Sequence, residues 1–194
     1  MQTMIYRSSI SVRPEFRKLS GIQWMDDLNP MILVNNLLLP FLTAALEDFF
    51  KSSFVALLRY SERKELFFKG SRLNSAQLTR VSNKTLTIEE AVAESLPFQR
   101  IASVCAHFKA LDPALDFAGC LKRPYRKRRE SLYTSLEAMV EKRHSLIHQN
   151  TLTLNYSDSH ATADIHNLEV SVERCLKRMN AHYAWGFSSL ELHG

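Results

Sequence analysis

The sequence predicts an all-α protein, an antiparallel helical bundle of four long helices, with shorter helices between the first two long ones. Three observations support this class. Only 5 of the 194 residues are glycine and 6 are proline, which leaves few of the tight turns that many short strands need. Several long segments carry apolar residues at the helical spacing of 3.6. The 45% hydrophobic and 23% charged composition is that of an ordinary globular chain, long enough to bury a core.

The first long helix is predicted to begin at Asn29-Pro30, with asparagine as the cap and proline at the first helical position. Apolar residues then recur at helical spacing as far as about Tyr60, and a bend is expected near Pro40. Residues 1–30 lack this periodicity. They are therefore predicted to form an N-terminal arm.

Short helices are predicted after the first long one. One is expected over 75–81, and Thr87-x-x-Glu90 has the pattern of a capping box that opens another. A more substantial helix is predicted over 97–110, where the turn-like sequence Leu111-Asp112-Pro113 follows. These elements connect the first long helix to the second half of the bundle.

Two further long helices complete the prediction, over about 125–149 and about 159–183. The β-branched, polar stretch 151–159 between them is expected to be a short extended loop. The helical domain is thus predicted to span 31–185, and 186–194 is a C-terminal tail.

The cysteines and the N-terminal region predict a cytoplasmic protein. Cys105, Cys120 and Cys175 are odd in number and widely spaced, so they are expected to be reduced, buried side chains rather than disulfide partners or zinc ligands. The N-terminal residues lack the apolar stretch of a signal peptide. The apolar run 31–42 is shorter than the roughly 20 residues of a membrane span. It predicts a core helix, and no membrane partner is expected.

Positive charge is concentrated in one segment between residues 122 and 130. The whole chain has a formal charge of +5, and this segment alone carries six basic residues and one acid. Its basic residues are Lys122, Arg123, Arg126, Lys127, Arg128 and Arg129. Such a cluster suits a polyanion such as RNA, although a solvated helix face would show the same run of charge.

The segment 141–150 places two histidines and an arginine at the predicted end of a helix. His144 and His148 are four residues apart and could share a metal ion, but a zinc site needs three or four ligands. His160 and His166 would have to supply the others, and Ser145 stands where the common zinc-protease motif has glutamate. Basic residues near a helix C-terminus also favour the helix dipole without any further role.

A third interpretation takes Arg143 and His148 as an RNA-cleaving pair. On an ideal helix these two residues lie roughly 140° apart, so they converge only at a frayed helix end or through a partner subunit. Arg100 and His107, with six residues between them, form a comparable pair whose members share a helix face better. Spacing alone therefore does not choose between the two pairs.

From about residue 32 to 183 the sequence resembles the HEPN superfamily, in particular its MAE-like or RiboL-PSP branch. The match rests on three segments, in which order and spacing agree. They are Phe41-x4-Leu46-Glu47-x-Phe49-Phe50-Lys51-x-x-Phe54, then Thr87-Ile88-Glu89-Glu90-Ala91 with Phe98-Gln99-Arg100-Ile101, and Glu141-Lys142-Arg143-His144-Ser145-Leu146-Ile147-His148. The last is similar to that branch's Arg-His-x-x-Val/Ile-His signature.

The resemblance implies a helical bundle that dimerises so that two Arg-x4-His motifs meet in one cleft. Active members are metal-independent endoribonucleases without a cofactor, often toxins or antiviral effectors restrained by an antitoxin protein. The motif corresponds to Arg143 and His148, with His144 in the polar position after the arginine. Glu47 corresponds to an acidic residue of the first helix that could hold Arg143 in place. Other members are non-catalytic modules for RNA binding or protein assembly, and that alternative stays open.

The side chains suit this chemistry. RNA can be cleaved by attack of its own 2′-hydroxyl on the adjacent phosphate, which leaves a cyclic phosphate. A histidine such as His148 can accept or deliver the proton near neutral pH, and the guanidinium of Arg143 can hold a phosphate oxygen as charge develops. One subset of the superfamily has a tyrosine that can be adenylylated two residues after the histidine. Here that position is Asn150, so this form of control is not expected.

Overall fold

The computed structural model describes residues 30–125 and 130–184, and all regular secondary structure within them is helical. Eight helices follow one another in this part of the chain. They are α1 (Pro30–Tyr60), α2 (Lys64–Gly70), α3 (Ser75–Ser82), α4 (Ile88–Glu94), α5 (Ile101–Leu111), α6 (Phe117–Lys122), α7 (Leu132–His148) and α8 (Asp158–Tyr183). The predicted all-α class is confirmed.

Helix α1 is the central element of the core. It continues through Pro40, and its side chains Phe50, Phe54 and Leu58 are completely buried. By length and composition alone α1 could also cross a membrane. Of its most apolar 18-residue stretch 22% is buried within the fold, and its inward face packs against the other helices.

Aromatic rings join α1 to the helices in the middle of the chain. Phe50 lies 6.0 Å from Phe108 of α5, and Phe108 lies 4.6 Å from Phe117 of α6, measured between ring centroids. Phe54 packs edge-on against Phe98 at 5.4 Å. Edge-on and tilted arrangements of this kind add to the stabilisation from burial.

Local capping decides where several helices begin. The capping box predicted at Thr87 is present, since Thr87 and Glu90 exchange side-chain to backbone hydrogen bonds at the start of α4. Ser131 caps α7, which therefore begins at Leu132 and not near residue 125 as predicted. The substantial helix expected from residue 97 likewise begins later, at Ile101, and α2 and α6 were not predicted.

The directions of the long helices differ from simple up-and-down alternation. The Asn35 side chain near the start of α1 donates a hydrogen bond to Asp158 at the start of α8. At the other end of α1, the Ser61 hydroxyl donates a hydrogen bond to the carbonyl of Leu111, the last residue of α5. His182, near the end of α8, is hydrogen-bonded to Asp112, which directly follows α5. Helices α1 and α8 therefore run in the same direction. Helix α7 runs antiparallel to α8, to which a short loop connects it.

Some predicted features lie outside the described residues. They are residues 1–29 of the N-terminal arm and the C-terminal tail, 186–194. Four members of the basic segment also lie outside the described residues, namely Arg126, Lys127, Arg128 and Arg129.

Candidate active site at the end of helix α7

Arg143 lies on the packed face of α7. The buried residues Leu132, Leu136 and Met139 follow one another at intervals of four and three, and Arg143 comes four residues later. This spacing keeps all four on one face of the helix. Arg143 is half-buried, and it forms no hydrogen bond or ion pair with any described residue. An arginine without such a partner is suited to bind an anionic ligand.

His148 is the last residue of α7 and is exposed. Its ring centroid lies 4.6 Å from that of His144, which is half-buried one turn earlier. Because α7 is helical through His148, Arg143 and His148 stay roughly 140° apart around its axis. The frayed end that would bring them together within one chain is not found.

The helix ends sharply after His148. The backbone N–H groups of Gln149 and Thr151 both donate to the carbonyl of Ser145, each at 3.1 Å. Between them Asn150 has a φ of 51°, in the left-handed region that asparagine tolerates better than most residues. The chain therefore turns away immediately beyond the histidine.

Two buried asparagines of α1 hold the loop that follows. The side chain of Asn36 donates to the carbonyl of Thr153 at 3.1 Å and accepts from its N–H at 2.9 Å. The Nδ2 atom of Asn35 lies 2.8 Å from Oδ1 of Asp158. Sequence reasoning missed this function, although two adjacent asparagines inside an apolar helix were a visible signal, because buried amides require partners.

A second set of polar contacts fixes the residue next to Arg143. The ammonium of Lys142 lies 3.0 Å from Oδ2 of Asp164 and 4.7 Å from the centre of the Tyr156 ring. The Tyr156 hydroxyl donates to the same oxygen at 2.7 Å. Burial of the Tyr156 side chain raises the pKa of its hydroxyl, and the neighbouring Asp164 carboxylate raises it further. These contacts join α7, the loop after it and α8, and none of them was predicted.

The expected link between Glu47 and Arg143 does not form within one chain. Glu47 is half-buried on α1 and makes no ion pair with Arg143 or with any other described residue. If Glu47 positions the arginine, a second chain or bound RNA must bring them together.

The two members of the alternative pair, Arg100 and His107, have different surroundings. Arg100 precedes α5 as its N-terminal capping residue and is exposed. His107 points inward, with Nε2 3.1 Å from the carbonyl of Pro97 and its ring 5.3 Å from that of Phe98. Burial lowers the pKa of His107 even though the Pro97 contact raises it. His107 therefore has a structural position, which leaves Arg143 and His148 as the stronger candidates.

The histidines considered as metal ligands have other partners. His160 belongs to the capping box of α8, with Nδ1 2.8 Å from the Ser157 hydroxyl. His166 lies 2.8 Å from the Tyr125 hydroxyl. Among residues 30–125 and 130–184, no three histidine, cysteine or acidic side chains form a group able to hold a metal ion.

The three cysteines are free thiols. Cys105 and Cys175 are buried, and burial raises the pKa of Cys105 to about 12. Cys120 is half-buried, and burial raises its pKa as well. The buried positions of Cys105 and Cys175 agree with the prediction, whereas Cys120 is more exposed than predicted.

The two described members of the basic segment, Lys122 and Arg123, are exposed at the end of α6. The ammonium of Lys122 lies 4.8 Å from the centre of the Tyr133 ring on α7. The charge predicted to attract RNA therefore begins beside the first turn of the helix that carries Arg143.

Comparison with known proteins identified no relative. No family model matches the sequence, and neither a curated protein nor a solved structure matches it.

Proposed function

We propose that this protein is a metal-independent endoribonuclease whose active site contains Arg143 and His148. The observation that carries the proposal is the state of Arg143. It is half-buried on the packed face of α7, lacks a partner among the described residues, and lies five residues before an exposed histidine at the helix end. A guanidinium without a protein partner can hold the phosphate of a ligand through its planar set of donors.

The reaction would use the 2′-hydroxyl of RNA as the nucleophile. Its oxygen forms a bond to the adjacent phosphorus, the bond from phosphorus to the 5′-oxygen breaks, and a 2′,3′-cyclic phosphate remains. His148 accepts the proton of the 2′-hydroxyl, and the resulting imidazolium returns it to the departing 5′-oxygen. Arg143 binds the non-bridging oxygens while their charge increases. Acid–base assistance of this kind is typically worth about 10²–10⁴-fold in rate.

A homodimer would complete the site, since one regular helix separates Arg143 and His148 by roughly 140°. The first half of α1 offers a surface for the second copy. Leu33, Leu37 and Phe41 recur every four residues and remain exposed, Phe41 by 73%. Asn36 and Thr153 place this face at the same end of the molecule as His148. An exposed apolar stripe of this kind is typical of an interface.

The resemblance to the HEPN superfamily supports a biological role as well. On that basis we propose a toxin or antiviral effector that acts in the cytoplasm and is restrained by an antitoxin protein. His144, whose ring lies against that of His148, and Glu47 would assist the site. The substrate proposed is RNA, attracted by the basic segment 122–129.

A non-catalytic module for RNA binding or protein assembly is the second candidate. One observation favours it: Glu47 and Arg143 are not paired within one chain. A module that only binds RNA would need the positive charge of Arg143 but no assembled catalytic geometry.

The test is a cleavage assay on total cellular RNA with excess EDTA. Wild-type protein is compared with Arg143→Ala, His148→Ala and, as a matched control, Arg72→Ala at an exposed arginine away from α7. We expect cyclic phosphate ends with wild type and the control, and loss of cleavage in the two site variants. Folded, dimeric wild type that binds RNA and leaves it intact would favour the non-catalytic module.

A further inference from the structure

Three arginines from two separate parts of the chain lie around α6, with Arg123 directly after the helix and Arg174 and Arg178 on α8 bonded to the chain on either side of it. The Arg174 guanidinium on α8 donates hydrogen bonds to the carbonyls of Arg123 at 3.0 Å and Pro124 at 3.2 Å. Arg178, one turn further along the same face of α8, donates to the carbonyl of Ala114 at 2.8 Å. We call Arg123, Arg174 and Arg178 the α8 basic patch.

The charges of the patch act on one place, the half-buried thiol of Cys120. Burial raises the pKa of this thiol, whereas Arg174, Arg123 and Arg178 each lower it. Asp116 acts in the opposite sense, but this carboxylate caps α6 through the backbone N–H of Gly119. Three guanidinium groups beside this one carboxylate leave the patch with an excess of positive charge.

Flat aromatic rings lie beside the patch. The Arg174 guanidinium lies 5.2 Å from the centre of the Tyr125 ring, and the Tyr125 hydroxyl lies 2.8 Å from Nε2 of His166. Arginines next to half-buried aromatic rings are typical of surfaces for single-stranded nucleic acid, where bases stack while cations contact phosphates. An acidic protein would use the cations but not the rings.

We propose that the α8 basic patch binds the phosphate backbone of single-stranded RNA outside the cleavage site. Arg123 and Arg178 contact phosphates, and Tyr125 and His166 lie beside the bases. Arg174 is a positioning residue, because its hydrogen bonds to three carbonyls hold the chain from Cys120 to Pro124 in place. The identity of the ligand as RNA rests on the proposed function.

Binding and cleavage are separated by using an RNA oligonucleotide with 2′-O-methyl groups, which has no nucleophile for self-cleavage. Its affinity is measured by fluorescence anisotropy over a series of salt concentrations. The variants are Arg123→Gln and Arg178→Gln, and Arg72→Gln is the control because it removes the same charge from an exposed position elsewhere. Circular dichroism confirms that each variant is folded.

We expect each patch variant to weaken binding and to reduce the slope of log K against log salt by roughly 0.7 for each phosphate that the variant no longer neutralises. The control should keep the wild-type slope. If both patch variants bind the oligonucleotide like the control, the patch is not the RNA surface. This measurement needs no cleavage. If the wild-type protein does not cleave RNA, the proposed ribonuclease activity is refuted, whereas RNA binding by the patch is still tested by the affinity measurement.

Cys120 provides a second readout within the native chain. Cys105 and Cys175 are 8% and 0% exposed, so a maleimide should label Cys120 first. We expect the RNA oligonucleotide to slow this labelling in wild type and in Arg143→Ala alike. Labelling that is slowed by polyglutamate or by anionic lipid vesicles but not by RNA would overturn the proposal.

Discussion

Asn36 and Thr153 are joined by two hydrogen bonds in opposite directions, from Nδ2 to the Thr153 carbonyl at 3.1 Å and from the Thr153 N–H to Oδ1 at 2.9 Å. Asn36 is completely buried. One side chain of α1 thus satisfies the backbone of the loop that follows His148, and the position of the candidate site depends on the helix at the other end of the sequence.

Replacement of Asn36 by alanine should destabilise the fold by about 1–3 kcal/mol. The change leaves the N–H of Thr153 without its partner, whereas the Thr153 carbonyl still accepts from the N–H of Tyr156. An unsatisfied buried polar group costs about 1–3 kcal/mol. Urea unfolding measures the effect. Asn155→Ala is the control, since Asn155 lies in the same loop but is exposed. Equal stability of the two variants would show that the pair contributes nothing.

The contacts of Asp164 predict which of two mutations destabilises the fold more. Tyr156→Phe removes one hydrogen bond but leaves Asp164 paired with Lys142, and should cost about 1 kcal/mol. Asp164→Ala leaves both an ammonium and a buried hydroxyl unpaired, and should cost about 3 kcal/mol or more. Thermal unfolding of both variants tests this order, which a larger effect of Tyr156→Phe would contradict.

Asp112 should stabilise the fold in a pH-dependent way. Its burial alone would raise the pKa, but the N–H of Ala114 and the side chains of His182 and Tyr183 outweigh burial and lower it. A carboxylate with a lowered folded-state pKa contributes stability above its unfolded pKa of about 3.9, and this stability is lost as the pH falls through the folded-state value.

Asp112→Asn should therefore be less stable than wild type at neutral pH. The difference should narrow as the pH falls from about 4 to about 2, because the wild-type carboxyl is then protonated as well. Urea unfolding at several pH values measures it. A difference that stays constant over this range would contradict a role for the Asp112 charge.

Arg100 should be dispensable for cleavage. It is exposed before α5, and His107 has its ring nitrogen at the Pro97 carbonyl. Arg100→Ala is expected to keep the wild-type rate on total RNA, with circular dichroism as the folding control. Loss of cleavage in this folded variant would instead identify Arg100 as part of the active site.

The features that sequence reasoning predicted well are local. The capping box of Thr87 and Glu90 involves two residues three apart, so the pattern alone defines the start of α4. The start of α7 was predicted too early, because the apolar periodicity begins only at Leu132 and the cap at Ser131 was not recognised.

The features that sequence reasoning missed depend on distant residues. Asn36 and Thr153 are 117 positions apart, and nothing in either segment indicates the other. The same contacts put the beginnings of α1 and α8 at one end of the molecule, contrary to up-and-down alternation. For the candidate site, the residue types near His148 were evident, whereas the burial of Arg143 on the packed face of α7 required the structure.

The most direct test of the composite active site mixes two inactive variants. Arg143→Ala and His148→Ala are purified, combined under conditions of subunit exchange, and assayed with EDTA beside wild type. If the site takes Arg143 from one subunit and His148 from the other, half of the dimers are mixed and each has one intact site of two, so about a quarter of wild-type cleavage should return. A mixture as inactive as its two parents, beside an active wild type, would contradict the composite site.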